Sequence, residues 1–476
     1  MATMHSIDDL RALLRTHGQD HLLQFWESLD AEGRARLVSQ LSGVDWESMS
    51  RWIDDYVLST PDGDVPAELE PAPYVPLIPE TVDQRKHYER VRELGVAALR
   101  RGEIGGFTVA GGQGTRLGYE GPKGTFPISA VKGKSLFQLF AETILRAQEK
   151  YETTIPWYIM TSPVNDADTR AFFTDNDFFG VDPDNIMFMV QGTMPAIGLD
   201  GKLLLGARDS LALSPNGHGG SLLALRKSGA LDDMRDRGVK HISYWQVDNP
   251  LVHCLDPLFI GMHCERTSDM SCRSLTKSHP DEKLGNFCRS GNTFIIIEYS
   301  DMPDELSRAR DEDGRLRFRA GSPAIHVLRR DFIIELTKHG TLDLPFHRAV
   351  KKVPYVNEKG DCVEPRKPNA VKLEMFIFDA LPKADSVLIL EADRHEQFSP
   401  VKNASGEDSP ETCRRDMTER AARWLDAAGV DVPRTHDGAP DCVIELSPRH
   451  YLDAEDVALK AANIRAPRRG KMEYYD

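Results

Sequence analysis

A short apolar run, Phe107 to Ala110, opens directly into GGQGTRLGYEGPKG (Gly111 to Gly124), and this junction constrains the fold more than any other stretch of the chain. A strand that ends in a glycine-rich loop starts an α/β unit, with the loop outside the carboxyl end of the strand. Gly111, Gly112 and Gly114 free the backbone for positive φ and close approach, so that successive N–H groups point at anionic oxygens. Arg116 and Lys123 add fixed positive charge, and the segment reads as a phosphate cradle. Neither common template fits. A dinucleotide fingerprint would need glycine where Leu117 stands, and a Walker A loop ending in Gly133-Lys134-Ser135 would need glycine at Ile128. An ordinary surface turn has no use for Arg and Lys within such a glycine cluster.

The rest of the chain supports an α/β reading with a Rossmann-like central domain. The first ~55 residues show helical periodicity, with Ser6 and Asp9 forming a capping-box-like start and Leu10, Leu13 and Leu14 on one face. The prolines between Pro61 and Pro79 preclude a long helix or a central strand and mark a linker. Beyond it, apolar runs alternate with amphipathic helices. Trp157 to Met160, Ile186 to Val190 and Ile242 to Val247 read as strands, and Ser135 opens a helix carrying Leu136, Leu139, Phe140 and Ile144. The glycine loop, Gln191 and Asp248 then stand at strand carboxyl ends, where open α/β sheets bind ligands. The last ~75 residues, including CVIELSPRHYL, read as a small β-rich domain. The expected division is residues 1–100 as helical segment and linker, 101–400 as catalytic domain, and 401–476 as C-terminal domain.

Charge and cysteine usage narrow the function classes. A net charge of −15 argues against nucleic acid or an acidic membrane surface as partner, so an anionic substrate needs a local basic pocket. Seven cysteines without a CxxC pair fit neither a disulfide framework nor a zinc ribbon and point to the cytoplasm. The start MATMHSIDDLRALL is not a secretory signal, and no apolar run is long enough to span a bilayer. Asp248 closes the run ISYWQV, where its carboxylate suits Mg²⁺ together with substrate phosphates; a strand-end Asp that caps the next turn is the alternative.

AGGQGTRLG followed by PKG resembles the signature of the eukaryotic-type UDP-sugar pyrophosphorylases, with the UDP-N-acetylglucosamine pyrophosphorylases the nearest group. Matching blocks follow in order along almost the whole chain: HLLQFWESL, WYIMTSP, QGTMPAI, VDNPLV, EYSD, KPNAVKLEMFIFD and FSPVKNA. The resemblance implies a nucleotidyltransferase that joins UTP to a sugar 1-phosphate and releases pyrophosphate with Mg²⁺. It implies Asp248 as metal ligand, Arg116 on the leaving pyrophosphate, Lys123 and Lys402 near the reacting phosphates, and Lys372 as a further phosphate contact. It assigns the uridine to Ala110, Gly111, Gly112, Gln191 and Gly217, and the sugar to His218, Gly285, Glu298 and Ser322.

Two positions depart from the acetylglucosamine pattern. His218 replaces an expected asparagine and is similar to the UDP-glucose pyrophosphorylases, and Ser322 also stands where asparagine is expected. N-acetylglucosamine 1-phosphate is the first expectation as sugar substrate, and glucose or galactose 1-phosphate the alternative. A nucleotide-binding regulator that keeps UTP affinity without turnover is the reading from another class, opposed by the joint presence of Arg116, Lys123, Asp248 and Lys402. Oligomeric state is left open.

Overall fold

A computed structural model describes residues 6–59, 65–66 and 68–476. These group into two units, each discontinuous in sequence: Val65–Gln191, Ser221–Asp343 and Phe378–Asp476 form the larger, and Met1–Asp64, Gly192–Gly220 and Leu344–Ile377 the smaller.

The larger unit is built on a mixed sheet of eleven strands. Four form one parallel run, in which Ile104–Val109 lies between Trp157–Thr161 and His241–Gln246, and Ile186–Val190 flanks Trp157–Thr161; Val387–Glu391 pairs in parallel with Met270–Thr276. His326–Arg329 runs antiparallel between His241–Gln246 and Met270–Thr276, and the sheet continues through Ala320–Ser322 to Gly285–Ser290. The parallel strands are apolar on both faces, with Phe107, Ile159, Tyr244 and Trp245 fully buried, as a sheet covered on both sides requires. Ser135 caps the helix Leu136–Tyr151 by accepting from the Gln138 amide, as its sequence predicts. The helices Val82–Arg100 and Pro257–Glu265 cross through facing glycines: a Cβ on Gly95 would stand 1.8 Å from Pro257 O, and one on Gly261 1.9 Å from Val91 O. Because Ile104–Val109 sends the chain first to one neighbour and later receives His241–Gln246 on its other side, its carboxyl end is a topological switch point.

Of the proline-rich stretch, residues 61–64 and 67 lie outside the described residues. Further on, Glu70–Pro71 pairs at the sheet edge with Arg289 and Cys288, and Val75 bridges Leu390. Residues 401–476 differ from the β-rich expectation. They hold the 18-residue helix Pro410–Ala427, the helix Ala454–Lys460, and only two short parallel strands, Val443–Leu446 and Met472–Tyr475. The longer helix is capped by Ser409, which forms a capping box with Thr412 and is followed by Pro410 at the first helical position.

In the smaller unit the helices Ile7–Thr16, Ala31–Ser42 and Trp46–Ile53 turn Leu10, Leu14, Leu37, Leu41 and Trp46 inward. They share a core with Met194, Ile197, Leu203 and Leu373, the last on the antiparallel pair His347–Lys351 and Ala370–Glu374. Ser6 accepts from the Asp9 amide as the sequence indicated. Among the described residues no helix is long and apolar enough to cross a membrane.

Candidate active site

The glycine loop leaves the sheet at the switch point and folds back on itself. Gly114 N–H donates to Gly121 O at 2.9 Å, Lys123 N–H donates to Gly112 O at 3.0 Å, and short 3₁₀ turns form over Thr115–Leu117 and Lys123–Thr125. Positive φ falls on Gly118 (68°) and Gly121 (138°), not on Gly111, Gly112 or Gly114 as expected. Gly111 and Gly114 serve close approach instead. A Cβ on Gly111 would lie 2.8 Å from Gln191 Oε1 and one on Gly114 2.7 Å from the Tyr119 ring, whereas Gly112 has open space in front of it, as a backbone that receives a ligand needs.

The parallel register brings distant residues to this edge. Gln191 follows Ile186–Val190, its amide donating to Thr161 O at 2.8 Å, and Asp248 follows His241–Gln246. Lys123 Nζ stands 3.1 Å from Asp248 Oδ2, with both side chains largely buried. This joins two candidates 125 residues apart in the chain. Asp248 O also accepts from the Val401 amide at 2.8 Å, which fixes the segment carrying Lys402. Lys402 is half-buried, 3.7 Å from the Asp408 carboxylate, and burial raises Asp408 above the ordinary carboxylate range. Arg116, on its 3₁₀ turn, is exposed and has no hydrogen bond or ion pair among the described residues, as a group held for a charged ligand would be.

Gly285, Glu298 and Ser322 meet elsewhere on the same sheet. Gly285 pairs with Ser322 across the strands, and a Cβ on Gly285 would lie 3.3 Å from Glu298 Oε1 and 2.6 Å from Ile296 Cγ2. Ser322 Oγ is buried without a partner, a hydroxyl left for something polar.

The smaller unit carries Gly217, His218 and Lys372. Gly217 has φ 84°, and a Cβ there would lie 2.3 Å from Met375 O, so only glycine fits. His218 Nδ1 accepts from the Ile377 amide at 3.2 Å, which places the proton of the neutral ring on Nε2. Its ring stacks on Phe376, which stacks in turn on His347. Burial, then the nearby His347, pushes His218 down to about 4, so it is neutral at physiological pH. Lys372 lies half-buried on Ala370–Glu374.

Two asparagines escaped the sequence reading. Asn165 is fully buried, accepts from Ser162 N and Oγ, and donates to Ala110 O and Gly112 O at 2.9 and 3.2 Å, so it props the glycine loop from beneath. Asn249 donates to Gln397 O at 2.8 Å and accepts from Ser399 N at 3.0 Å, clamping the segment that leads to Lys402. Their one sequence signal is position, each within four residues of a strand's carboxyl end. Among the described residues no cluster of three or more His, Cys, Asp or Glu side chains is arranged to hold a metal. A Mg²⁺ ion here would therefore rely on Asp248 and on phosphate oxygens, a donor set that hard cation accepts.

Comparison with known proteins accords with this geometry. The family profile described as UTP–glucose-1-phosphate uridylyltransferase matches residues 103–456. The chain is 35% identical to the Homo sapiens UDP-N-acetylhexosamine pyrophosphorylase-like protein 1, over 98% of this chain and 97% of that protein. It is 34% identical to the Saccharomyces cerevisiae UDP-N-acetylglucosamine pyrophosphorylase, over 89% of this chain and 92% of that one. Its fold superposes on the crystal structure of uridine diphosphate N-acetylglucosamine pyrophosphorylase from Trypanosoma brucei, determined with an inhibitor, at a TM-score of 0.82 and 26% identity, covering 97% of this chain and 96% of that one. With a profile spanning most of the sequence and relatives aligned over nearly their full length, the chain belongs to the UTP–glucose-1-phosphate uridylyltransferase family of UDP-sugar pyrophosphorylases.

Proposed function

We propose that the protein joins UTP to a sugar 1-phosphate, first of all N-acetylglucosamine 1-phosphate, forming a UDP-sugar and pyrophosphate with Mg²⁺. The observation that carries this reading is the Lys123–Asp248 pair, 3.1 Å apart at the switch-point edge beside the open backbone of Gly112. Uridine is bound against Ala110, Gly111, Gly112 and Gln191, with Gly217 as a further contact.

A sugar phosphate oxygen attacks the α-phosphorus of UTP. A P–O bond forms, the bond from the α-phosphorus to the bridging oxygen breaks, and pyrophosphate leaves with that electron pair. The nucleophile is already ionised, so no general base is needed; the work is alignment and charge neutralisation. Lys123 and Lys402 hold the reacting phosphates, Lys372 adds a further phosphate contact, and Arg116 receives the departing pyrophosphate. Asp248 holds Mg²⁺, which neutralises phosphate charge when bound. Gly285, Glu298, Ser322 and His218 sort the sugar, with His218 a neutral donor through Nε2. The seven cysteines are free thiols, in keeping with action in the cytoplasm.

The test is pyrophosphate release from UTP and Mg²⁺ with the 1-phosphates of N-acetylglucosamine, N-acetylgalactosamine, glucose and galactose. Preference for an acetylated sugar supports the reading. Preference for glucose or galactose makes His218 and Ser322 the switch, and UTP binding without product from any sugar supports the regulator.

A further inference from the structure

A cavity of about 850 Å³ in the larger unit is lined by none of the residues named for substrate. It lies among the segment 250–258, the segment 393–397 and the C-terminal helices, with apolar walls that include Leu139, Tyr151, Leu255 and Trp424. Among the described residues one cation in this lining, Arg420, has no carboxylate within 4.0 Å. Arg420 spends Nη1 on the carbonyls of Leu251 (2.8 Å) and Glu396 (3.1 Å), and its guanidinium lies 5.0 Å over the Trp424 ring. Its Nε and Nη2 have no hydrogen bond among the described residues.

The lining carboxylates nearby are already engaged: Glu396 by Arg423 and Trp424 Nε1, Asp256 by Arg273, and Asp453 by Lys150. Burial lowers Arg420 only to about 10, so it stays charged at neutral pH. Among the described residues three further lining atoms are buried without a partner, His253 Nε2, Gln397 Oε1 and Glu445 Oε1, and Gln397 is only 4% exposed. The unused Nε/Nη2 edge is the one that takes an oxyanion side-on through two parallel hydrogen bonds. The volume suits a small organic molecule.

We propose that this cavity binds a small aromatic oxyanion, its acid group on the free edge of Arg420 and its ring against Trp424 and Tyr151, and that occupancy tunes turnover. The walls run straight into the catalytic segments. Asn249 links Gln397 and Ser399, and Val401 N–H donates to Asp248 O, so a ligand that shifts either wall shifts Asp248 and Lys402 together. The binding half stands on the cavity alone, and the tuning half rests on the function proposed above.

The experiment is calorimetric titration of the full chain with 2-naphthoate, 2-naphthylmethanol and acetate, which separate the acid from the ring without any substitution. Saturable 1:1 binding of naphthoate at least tenfold tighter than either fragment is expected. Arg420→Gln should abolish the advantage over the alcohol, and Met417→Trp, which fills the cavity, should weaken both ligands at least tenfold, with circular dichroism confirming the fold of each variant. Absence of saturable naphthoate binding, binding unchanged by Met417→Trp, or displacement by UTP that marks the substrate crevice would overturn the site. For the tuning half, saturating naphthoate should change kcat or the KM for UTP at least twofold in the parent and not in Met417→Trp. Binding with unchanged kinetics refutes tuning and leaves the site. If the protein has no uridylyl transfer activity, the function reading fails while the titrations still decide the site.

Discussion

The switch-point edge and the C-terminal segment of the larger unit are held by opposite means. At the edge, the glycine loop is shaped by backbone hydrogen bonds, by Asn165 beneath it, and by places where a side chain would not fit, such as Gly124, whose Cβ would meet the Phe137 ring at 2.1 Å. Among the described residues Arg116 has no hydrogen-bond or ion-pair partner there. The C-terminal segment is tied down by buried charge. Lys134 Nζ meets Glu142 (2.7 Å), Ser447 (3.2 Å) and Tyr474 (3.0 Å), and Asp456 takes both Arg146 and Lys150. Arg116 is open at the edge, whereas the charges of the C-terminal segment are closed on one another, and substitutions in the two regions should therefore fail differently.

The largest effect is expected at the edge, on turnover. Asp248→Ala should lower kcat by about 10²–10³-fold, in the range for losing one group that stabilises developing charge. Its melting temperature should fall, though less than on stranding Lys134, because the Lys123 ammonium left unpaired is 13% exposed against 8% for Lys134. Steady-state kinetics at several Mg²⁺ concentrations check this, and unchanged metal-dependent turnover would sink the metal role. In the C-terminal region the pattern reverses. Glu142→Leu strands the Lys134 ammonium and should cost about 3–5 kcal/mol, while Lys134→Met with Glu142→Leu should recover most of it. Urea unfolding of the three proteins measures it; a double variant no better than the single one would mean that the hydrogen bonds to Ser447 and Tyr474 matter more than the ion pair.

The same contrast explains what the sequence disclosed. The strand Ile104–Val109, the cap Ser135 and the placement of Gln191 and Asp248 follow from short-range patterns, apolar runs closed by glycine or a polar residue, and those patterns survive folding because neighbours in sequence enforce them. The Lys123–Asp248 pair needed the parallel register across 125 residues, which no local signal carries. The facing Gly95 and Gly261, buried at a helix crossing, look like ordinary helix-weakening glycines until the partner helix is known. His218 and Ser322 were visible as departures from a resemblance, but the stacking of His218 on Phe376 and the orphaned Ser322 hydroxyl arise from tertiary neighbours.

A milder probe of the C-terminal region is pH. Burial alone would raise Asp456, but hydrogen bonds from Arg146, the Leu452 amide and Lys150 outweigh it and hold the carboxyl below its ordinary value. A depressed carboxyl contributes stability above its unfolded pKa of about 4 and loses it as pH falls through the folded value. Asp456→Asn should thus be less stable than the parent by about 1.5–3 kcal/mol at pH 7, the scale of hydrogen bonds to a charged group, and the gap should close progressively below pH ~4. Thermal melts from pH 3 to 8 read it, and a gap independent of pH would assign the loss to packing.

The smallest expected effect falls on specificity. Since His218 is pushed down to about 4, it is neutral through the physiological range and should give no inflection in kcat/KM between pH 6 and 8. His218→Asn should shift the ratio of kcat/KM for N-acetylglucosamine 1-phosphate over glucose 1-phosphate by about 10-fold, the scale of one altered contact in a pocket. The shift should favour the acetylated sugar, because an amide carries both a donor and an acceptor, whereas the stacked imidazole has Nδ1 committed to Ile377. If the ratio stays fixed while both rates fall together, His218 holds the backbone of its loop and discrimination belongs to Glu298 and Ser322, whose pairing through Gly285 would then be the place to change it.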